Sequence, residues 1–343
     1  MQHRDTKKVL VTGGGGFLGK SICSNLIEKG YQVISFSRKS YPNLEKKGVV
    51  CFKGDICSKS RLELALKGCD AVIHTAAKAG LWGSKKDYLE VNFEGTKNLL
   101  QCMSEQKVKY LIHTSSPSVV FDGKDIKGSN ESIPYSKNFY CAYAYSKMLA
   151  EKYILEKSIN SNLFALSLRP HLIWGPGDPH FIPRIIDKAR KNQLRKIGSH
   201  QNHVDVIYIE NAAIAHIDAL EHLFNKNHLS GRAYFLGQER PVNLWNFINL
   251  LLKSCGGNHI NKRIPYSIAY SLAIISESIF KTLRLKTEPP ITRFLTKQLA
   301  HSHFFDHSRA KRDFCYTPKI TIEEGLKNVT EFYTNKINLI QSI

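Results

Sequence analysis

No CxxC pair occurs among the eight cysteines, which are scattered at positions 23, 51, 57, 69, 102, 141, 255 and 315. That spacing suggests neither a zinc site nor a disulfide framework, so no metal is expected. Reduced thiols in a cytoplasmic protein fit best. The N-terminal MQHRDTKK lacks the apolar stretch of a signal peptide. No internal repeat, low-complexity tract or long linker is visible. The most apolar stretch, IPYSIAYSLAIISESIF at 264–280, is interrupted by Pro265 and Glu277 and is too short to span a bilayer. Acids are scarce: 29 Asp and Glu face 49 Lys and Arg, a formal net charge of +20. The positive charge is spread along the chain without an RRM, KH or zinc-finger pattern, which argues against nucleic acid as a partner. It leaves a solvated basic surface, an anionic substrate or cofactor, or an anionic membrane surface.

What is present reads as a globular enzyme. The 343 residues are 42% hydrophobic and 10% aromatic, enough for a sizeable core. Apolar strands at 8–12, 31–37, 49–53, 71–74, 110–114 and 163–168 alternate with helical patterns at 19–29, 61–67, 87–105 and 143–156. This βαβα rhythm predicts an α/β fold of Rossmann type: a doubly wound parallel sheet with a smaller mixed α/β C-terminal lobe. The expected division is a cofactor-binding and catalytic domain over 1–175 and a substrate lobe over 176–343, partly interleaved with the sheet. In the second half, helices are expected at 181–192, 212–224 and 244–253, with strands at 204–209 and 233–236.

A glycine-rich turn, TGGGGFLG at 12–19, follows the first strand and opens the first helix. Gly13, Gly16 and Gly19 are spaced GxxGxxG. Such a turn brings backbone N–H groups and a helix N-terminus to a pyrophosphate with no Cβ in the way. With Phe17 and Leu18 these are the candidate phosphate-binding residues. The second strand lacks the acid that would bind the ribose hydroxyls of NAD(H). It carries Ser37 instead, followed by Arg38 and Lys39. Two cations there suit a 2′-phosphate, so NADP(H) is expected over NAD(H). Asp55, with Ile56 after it, ends the third strand where an acid can meet the adenine edge. Ala76 and Ala77 end the fourth with side chains small enough for close passage of a cofactor.

Downstream, YAYSK places Tyr143 and Lys147 four residues apart, on one helical face. A phenol has a pKa near 10. A nearby ammonium favours the phenolate. Tyr143 can then exchange a proton with a carbonyl oxygen while Lys147 holds the nicotinamide ribose. Ser116 closes the fifth strand 27 residues earlier and can donate a second hydrogen bond to that oxygen. Ser115 and Ser118 are rivals for this part. The spacing recurs at Tyr153 and Lys157, deeper in the same helical pattern, where packing and solvent roles are expected.

These residues resemble the extended short-chain dehydrogenase/reductase family. The resemblance rests on TGGGGFLG, Asp55, HTAA at 74–77, NFEGT at 92–96, TSS at 114–116, YAYSK, and LRPHLIWGPGD at 168–178. KAGLWG at 78–83, PSVVFDG at 117–123 and EPPITRF at 288–294 look like the branch of 3β-hydroxysteroid and sterol dehydrogenases. Inside that branch they are similar to the bacterial 2-alkyl-3-oxoalkanoate reductases of olefin synthesis. The resemblance implies that Asn92 ties the active-site helix to a relay near Lys147. It also implies that the segment after Pro170 lines the nicotinamide. One departure is Asn211, where the family often has an acid.

The resulting expectation is reduction of the 3-oxo group of a hydrophobic, anionic, long-chain 2-alkyl-3-oxo acid by NADPH. A sterol-type 3β-hydroxyl dehydrogenase and a nucleotide-sugar epimerase or dehydratase are the alternatives. His171 and Arg184 are candidate substrate contacts, against readings as a structural histidine and a surface arginine. The 264–280 stretch is read as a core or lid helix of the substrate lobe. The alternative is an interfacial helix, helped by Lys281, Arg284 and Lys286, giving peripheral membrane or multi-enzyme association. Homo-oligomerisation is a further expectation.

Overall fold

The computed structural model describes residues 6–199, 201–285 and 287–341, so Lys286 lies outside the described residues. Seven strands form one parallel sheet: β1 (Lys8–Thr12), β2 (Gln32–Ser37), β3 (Val50–Lys53), β4 (Ala71–His74), β5 (Tyr110–Thr114), β6 (Phe164–Pro170) and β7 (Arg232–Leu236). Their spatial order is β7-β6-β5-β4-β1-β2-β3. The order reverses between β4 and β1. There the connections leave toward opposite faces, and a crevice opens above the carboxyl ends of the strands.

Both faces of the sheet are covered, which is why the strands read as continuous apolar runs. Val9, Val11, Ile73 and Ile112 point to a layer that includes α1 (Phe17–Glu28) and the later α4 (Ile209–Asn225). Leu10, Val72 and Leu111 point to the other layer. That layer contains α2 (Gly95–Glu105) and α3 (Ala142–Asn160). Two further helices matter below: α5 (Tyr266–Thr282) and α6 (Arg293–Ala300).

The two halves of the chain exchange strands. β7, from the second half, pairs with β6 in the main sheet, Ala233 opposite Ser167. Ile126–Ser129, from the first half, joins a small four-stranded sheet with His303–Phe305, His203–Val204 and Val242–Asn243. No helix of the described residues is long and apolar enough to cross a membrane.

Three elements differ from the sequence reading. The helix expected over 87–105 is broken by a π-helical turn, Glu90–Glu94, centred on the buried Asn92. The strand expected over 204–209 is only His203–Val204, and beyond it the Asp205 carboxylate accepts from the Phe305 N–H at 2.8 Å and faces His307 at 3.1 Å. Ile207–Tyr208 then pairs separately with Ile173–Trp174, and α4 begins at Ile209. Finally, the 264–280 stretch forms α5, but its large apolar side chains face outward instead of into a core.

The first crossover is tight enough to test. A Cβ on Gly19 would lie 2.2 Å from the Gly13 carbonyl oxygen. Backbone cannot yield there as a flexible side chain can, so Gly19→Ala is expected to destabilise by about 1–3 kcal/mol. Urea unfolding of the variant beside the wild type checks this; equal midpoints would contradict the packing described.

Candidate active site

The glycine turn sits at the carboxyl end of β1. Gly13 has φ +69°, a left-handed conformation that favours glycine. Its N–H donates to the Phe36 carbonyl at 2.8 Å, and the Gly16 N–H donates back to the Gly13 carbonyl at 2.8 Å. A Cβ on Gly13 would meet the Ala76 backbone at 2.9 Å, so the turn and the end of β4 need each other's small residues. Gly16 begins α1 without a side-chain cap. The first-turn N–H groups, from Phe17, Leu18 and Gly19, therefore present the positive helix end to an anion. This cradle fits a dinucleotide pyrophosphate.

The Ser37 hydroxyl accepts from the Gly15 N–H at 3.0 Å, so this residue braces the turn. Arg38 and Lys39 are exposed. Neither side chain has a hydrogen-bond or ion-pair partner among the described residues. Asp55 is exposed and accepts from the Cys57 N–H at 2.9 Å. Ile56 is buried against Gly95, on whose absent Cβ its side chain would impinge at 2.7 Å. Ala77 is exposed beside the partly buried Ala76, and Pro170 closes β6 opposite Leu236.

A row of polar side chains crosses the sheet just below this crevice. Parallel register places Thr12 beside His74, His74 beside His113, and His113 beside Ser167. All four are buried, and their hydrogen bonds interlock. Thr96 donates to the Asn92 carbonyl at 2.6 Å, so its oxygen accepts from His74 Nε2 at 3.0 Å. That leaves His74 Nδ1 to accept from Thr12 at 2.7 Å. Burial lowers the His74 pKa to about 3, so the ring is neutral.

His113 completes the row and meets Lys147. The Lys147 ammonium donates to His113 Nε2 at 3.0 Å and to the Thr114 carbonyl at 2.6 Å. His113 Nδ1–H is thereby free to donate to Ser167 at 3.1 Å. Burial, then the Lys147 charge, hold His113 well below the usual histidine range. Burial likewise lowers the Lys147 pKa to about 8, partly offset by Glu151 one turn further along α3. Glu151 is itself buried and held ionised by the Arg169 guanidinium, which reaches its carboxylate at 3.0 Å.

Tyr143 stands one turn before Lys147 on the same face of α3. Its ring is partly exposed, but its hydroxyl end is desolvated, and burial pushes the phenol up to about 12. Ser116 acts in the opposite sense through a hydrogen bond. Lys147 does not supply the lowering expected from the spacing, because its ammonium is turned toward His113 and Thr114. Tyr143 is consequently a protonated acid. The Ser116 hydroxyl oxygen accepts from Ser118 Oγ at 2.9 Å and from the Ser118 N–H at 3.2 Å, which leaves its own proton to donate. Ser118 thus orients Ser116, while Ser115 is buried beside Glu151.

Asn92 locks these parts together. Its amide accepts from the Lys78 N–H at 2.7 Å and donates to the Lys78 carbonyl at 3.0 Å and to Ser146 at 2.9 Å. The π turn aims it at α3, a use such turns often have at functional sites. His171 donates to His303 at 2.7 Å, in a plane within 2° of it, and so ties the end of β6 to the small sheet. Arg184 is held by Glu288 at 2.6 Å. Tyr153 packs edge-on against Phe93, with Lys157 exposed above its ring. Both line a groove of about 700 Å³ that none of Ser116, Tyr143 or Lys147 enters. A cavity of about 400 Å³ instead reaches Cys141 and Ala142, next to Tyr143, between Trp82 and α5.

His113, Ser167, Glu151 and Arg169 escaped the sequence reading. Helical spacing alone could have offered Glu151, four residues after Lys147.

The chain is similar to known proteins over most of its length. A profile of the 3-beta hydroxysteroid dehydrogenase/isomerase family matches residues 10–266. The chain is 41% identical to the 2-alkyl-3-oxoalkanoate reductase of Shewanella oneidensis, over 93% of this chain and 84% of that one. It is 33% identical to the decarboxylating sterol-4-alpha-carboxylate 3-dehydrogenase of Mus musculus, over 95% and 91%. The UDP-glucuronic acid 4-epimerase of Bacillus cereus, solved with NAD, superimposes with a TM-score of 0.73 over 96% of this chain and 99% of that one. At 20% identity that likeness speaks for the fold alone. Fold and relatives together make the protein an oxidoreductase. The chain belongs to the 3-beta hydroxysteroid dehydrogenase/isomerase family.

The buried ammonium has a pH signature. Lys147 titrates at about 8 in the fold and at 10.5 when unperturbed, so between those values the unfolded chain binds more protons. Stability contributed through Lys147 therefore rises with pH across that window, by up to about 1.4 kcal/mol per unit. Urea unfolding of wild type and Lys147→Met at a series of pH values should show their difference growing from pH 8 to 10.5. A constant difference would contradict the assignment.

Proposed function

We propose that this protein is an NADPH-dependent reductase that converts the 3-oxo group of a long-chain 2-alkyl-3-oxo acid to a hydroxyl. The observation that carries the reading is the protonated Tyr143 phenol, paired with Ser116, beside the glycine turn at the carboxyl edge of the sheet. A phenol held in its acid form suits the reductive direction, in which a carbonyl oxygen needs a proton. The bound nicotinamide supplies the hydride. Tyr143 gives its proton to the oxygen, and Ser116 stabilises the charge developing there. Lys147 has one proton beyond the two it spends on His113 and Thr114, and directs it to the nicotinamide ribose. The turn from Gly13 to Gly19 holds the pyrophosphate, with Asp55 and Ile56 toward the adenine. Arg38 and Lys39, which have no hydrogen-bond or ion-pair partner among the described residues, take the 2′-phosphate.

The substrate class follows the Shewanella oneidensis relative, a 2-alkyl-3-oxoalkanoate reductase. The strong positive charge suits an acid head group. Arg184 is engaged by Glu288, so it meets a substrate carboxylate only by exchanging that partner. The described cysteines are all free thiols, the state a reducing cytoplasm maintains. The 33% identity to the mouse enzyme supports a second reading, oxidation of a sterol 3-hydroxyl, and the same assay separates the two.

Consumption of NADPH with a 2-alkyl-3-oxo acid, beside a sterol 3-ketone, is the direct measurement. The acid should turn over, and Tyr143→Phe should lose about 10²–10⁴-fold in kcat. Full activity in that variant would remove Tyr143 from the chemistry. Arg38→Ser should raise KM for NADPH by about tenfold or more, the worth of one charge-assisted contact, and leave KM for NADH little changed. Equal effects on both cofactors would overturn the NADP(H) preference.

A further inference from the structure

The outer face of α5 is a continuous apolar stripe. Ile268, Leu272, Ile275 and Ile279 follow each other at intervals of three or four residues and so line one side of the helix. Each is between 47 and 54% exposed. Leu283 and Leu285 continue the exposed apolar surface beyond the helix end. The inner face is built differently: Ala269, Ala273 and Glu277 are its buried residues. The two alanines let α6 approach closely. Glu277 is no surface acid, because it accepts from the Arg293 N–H at 2.6 Å and from Arg293 Nε at 2.7 Å. The helix packs on its own lobe through small residues and leaves its large ones in solvent.

Charge is arranged to match. Lys262 and Arg263 are exposed just before the helix, and Lys281 and Arg284 at its end, while α5 exposes no acid. Ser267, Ser271 and Ser278 are exposed alongside the stripe. An apolar stripe with polar flanks and cations at both ends complements an anionic lipid interface. A protein partner would need an apolar groove ringed by acids, and nothing in the chain argues for one. Phe280, on the same helix, meets Trp82 edge-on at 6.5 Å. Trp82, Leu81, Tyr140 and Ile274 line the cavity that reaches Ala142, the residue before Tyr143. The stripe and the mouth of that cavity thus belong to one element.

We propose that α5 seats this protein on the surface of an anionic lipid bilayer. Ile268, Leu272, Ile275 and Ile279 enter the headgroup boundary, and Lys262, Arg263, Lys281 and Arg284 face the lipid phosphates. The seating does not depend on which substrate is reduced. It gives an apolar substrate a route, since the cavity at Trp82 opens beside the bilayer.

Flotation of the full-length protein tests the seating without any assay of catalysis. Wild type should float with vesicles of phosphatidylcholine and phosphatidylglycerol, stay down with phosphatidylcholine alone, and be released by salt. The triple variant Leu272→Glu/Ile275→Glu/Ile279→Glu should lose at least about tenfold of the bound fraction at an unchanged melting temperature. If the triple variant fails to fold, Ile275→Ser/Ile279→Ser takes its place with the same expected direction. Wild type that floats with neither vesicle, or a folded variant that floats as wild type does, would overturn the proposal. Sedimentation that shows a wild-type dimer dissolved by the same substitutions, with no flotation, would assign the stripe to a second copy and overturn it equally.

Discussion

A lysine ammonium kept inside the protein is the constraint on which the site depends. Lys147 is 3% exposed, and an unpaired charge in such a place would be severely unstable. It is tolerated because two fixed acceptors meet it, the Thr114 carbonyl at the end of β5 and the neutral ring of His113 within that strand. The acceptor nitrogen of His113 is available only if its other nitrogen carries the proton, and Ser167 on β6 secures that arrangement. Three elements must therefore be in register before the charge can be accommodated. The Glu151–Arg169 pair, deeper along the same helix, adds an opposing charge and joins α3 to β6.

That arrangement divides the work between the two residues of YAYSK. Lys147 spends its charge on the scaffold. Tyr143 is governed by its own desolvation and by Ser116, and remains an acid. The site is thus set by burial more than by a cation lowering a phenol. Asn92 adds the loop after β4 to the same construction, so the glycine turn, Ala76 and the active-site helix are mutually positioned. The crevice between β1 and β4 then places the glycine turn and the Tyr143 phenol on the same edge of the sheet.

Much of this was legible in the chain. The strand–glycine turn–helix unit is local, and its chemistry follows from three glycines and an uncapped helix. The choice of Tyr143 over Tyr153 also followed from position, since one begins the helix and the other packs on Phe93. The polar row was not legible. His74, His113 and Ser167 lie far apart in sequence and become neighbours only through parallel register. The π turn at Asn92 was hidden because its residues keep a helical pattern. The 264–280 stretch misled in another way: local apolarity shows that a helix forms but not which side packs, and here alanines face inward.

The central claim, that Lys147 is a buried cation held by neutral acceptors, is open to direct titration. Lysine side chains labelled with ¹³C and ¹⁵N can be followed by NMR across pH, with the Lys147 signal assigned from its absence in Lys147→Met. The account predicts a midpoint at about 8. A midpoint at the ordinary 10.5 would contradict it.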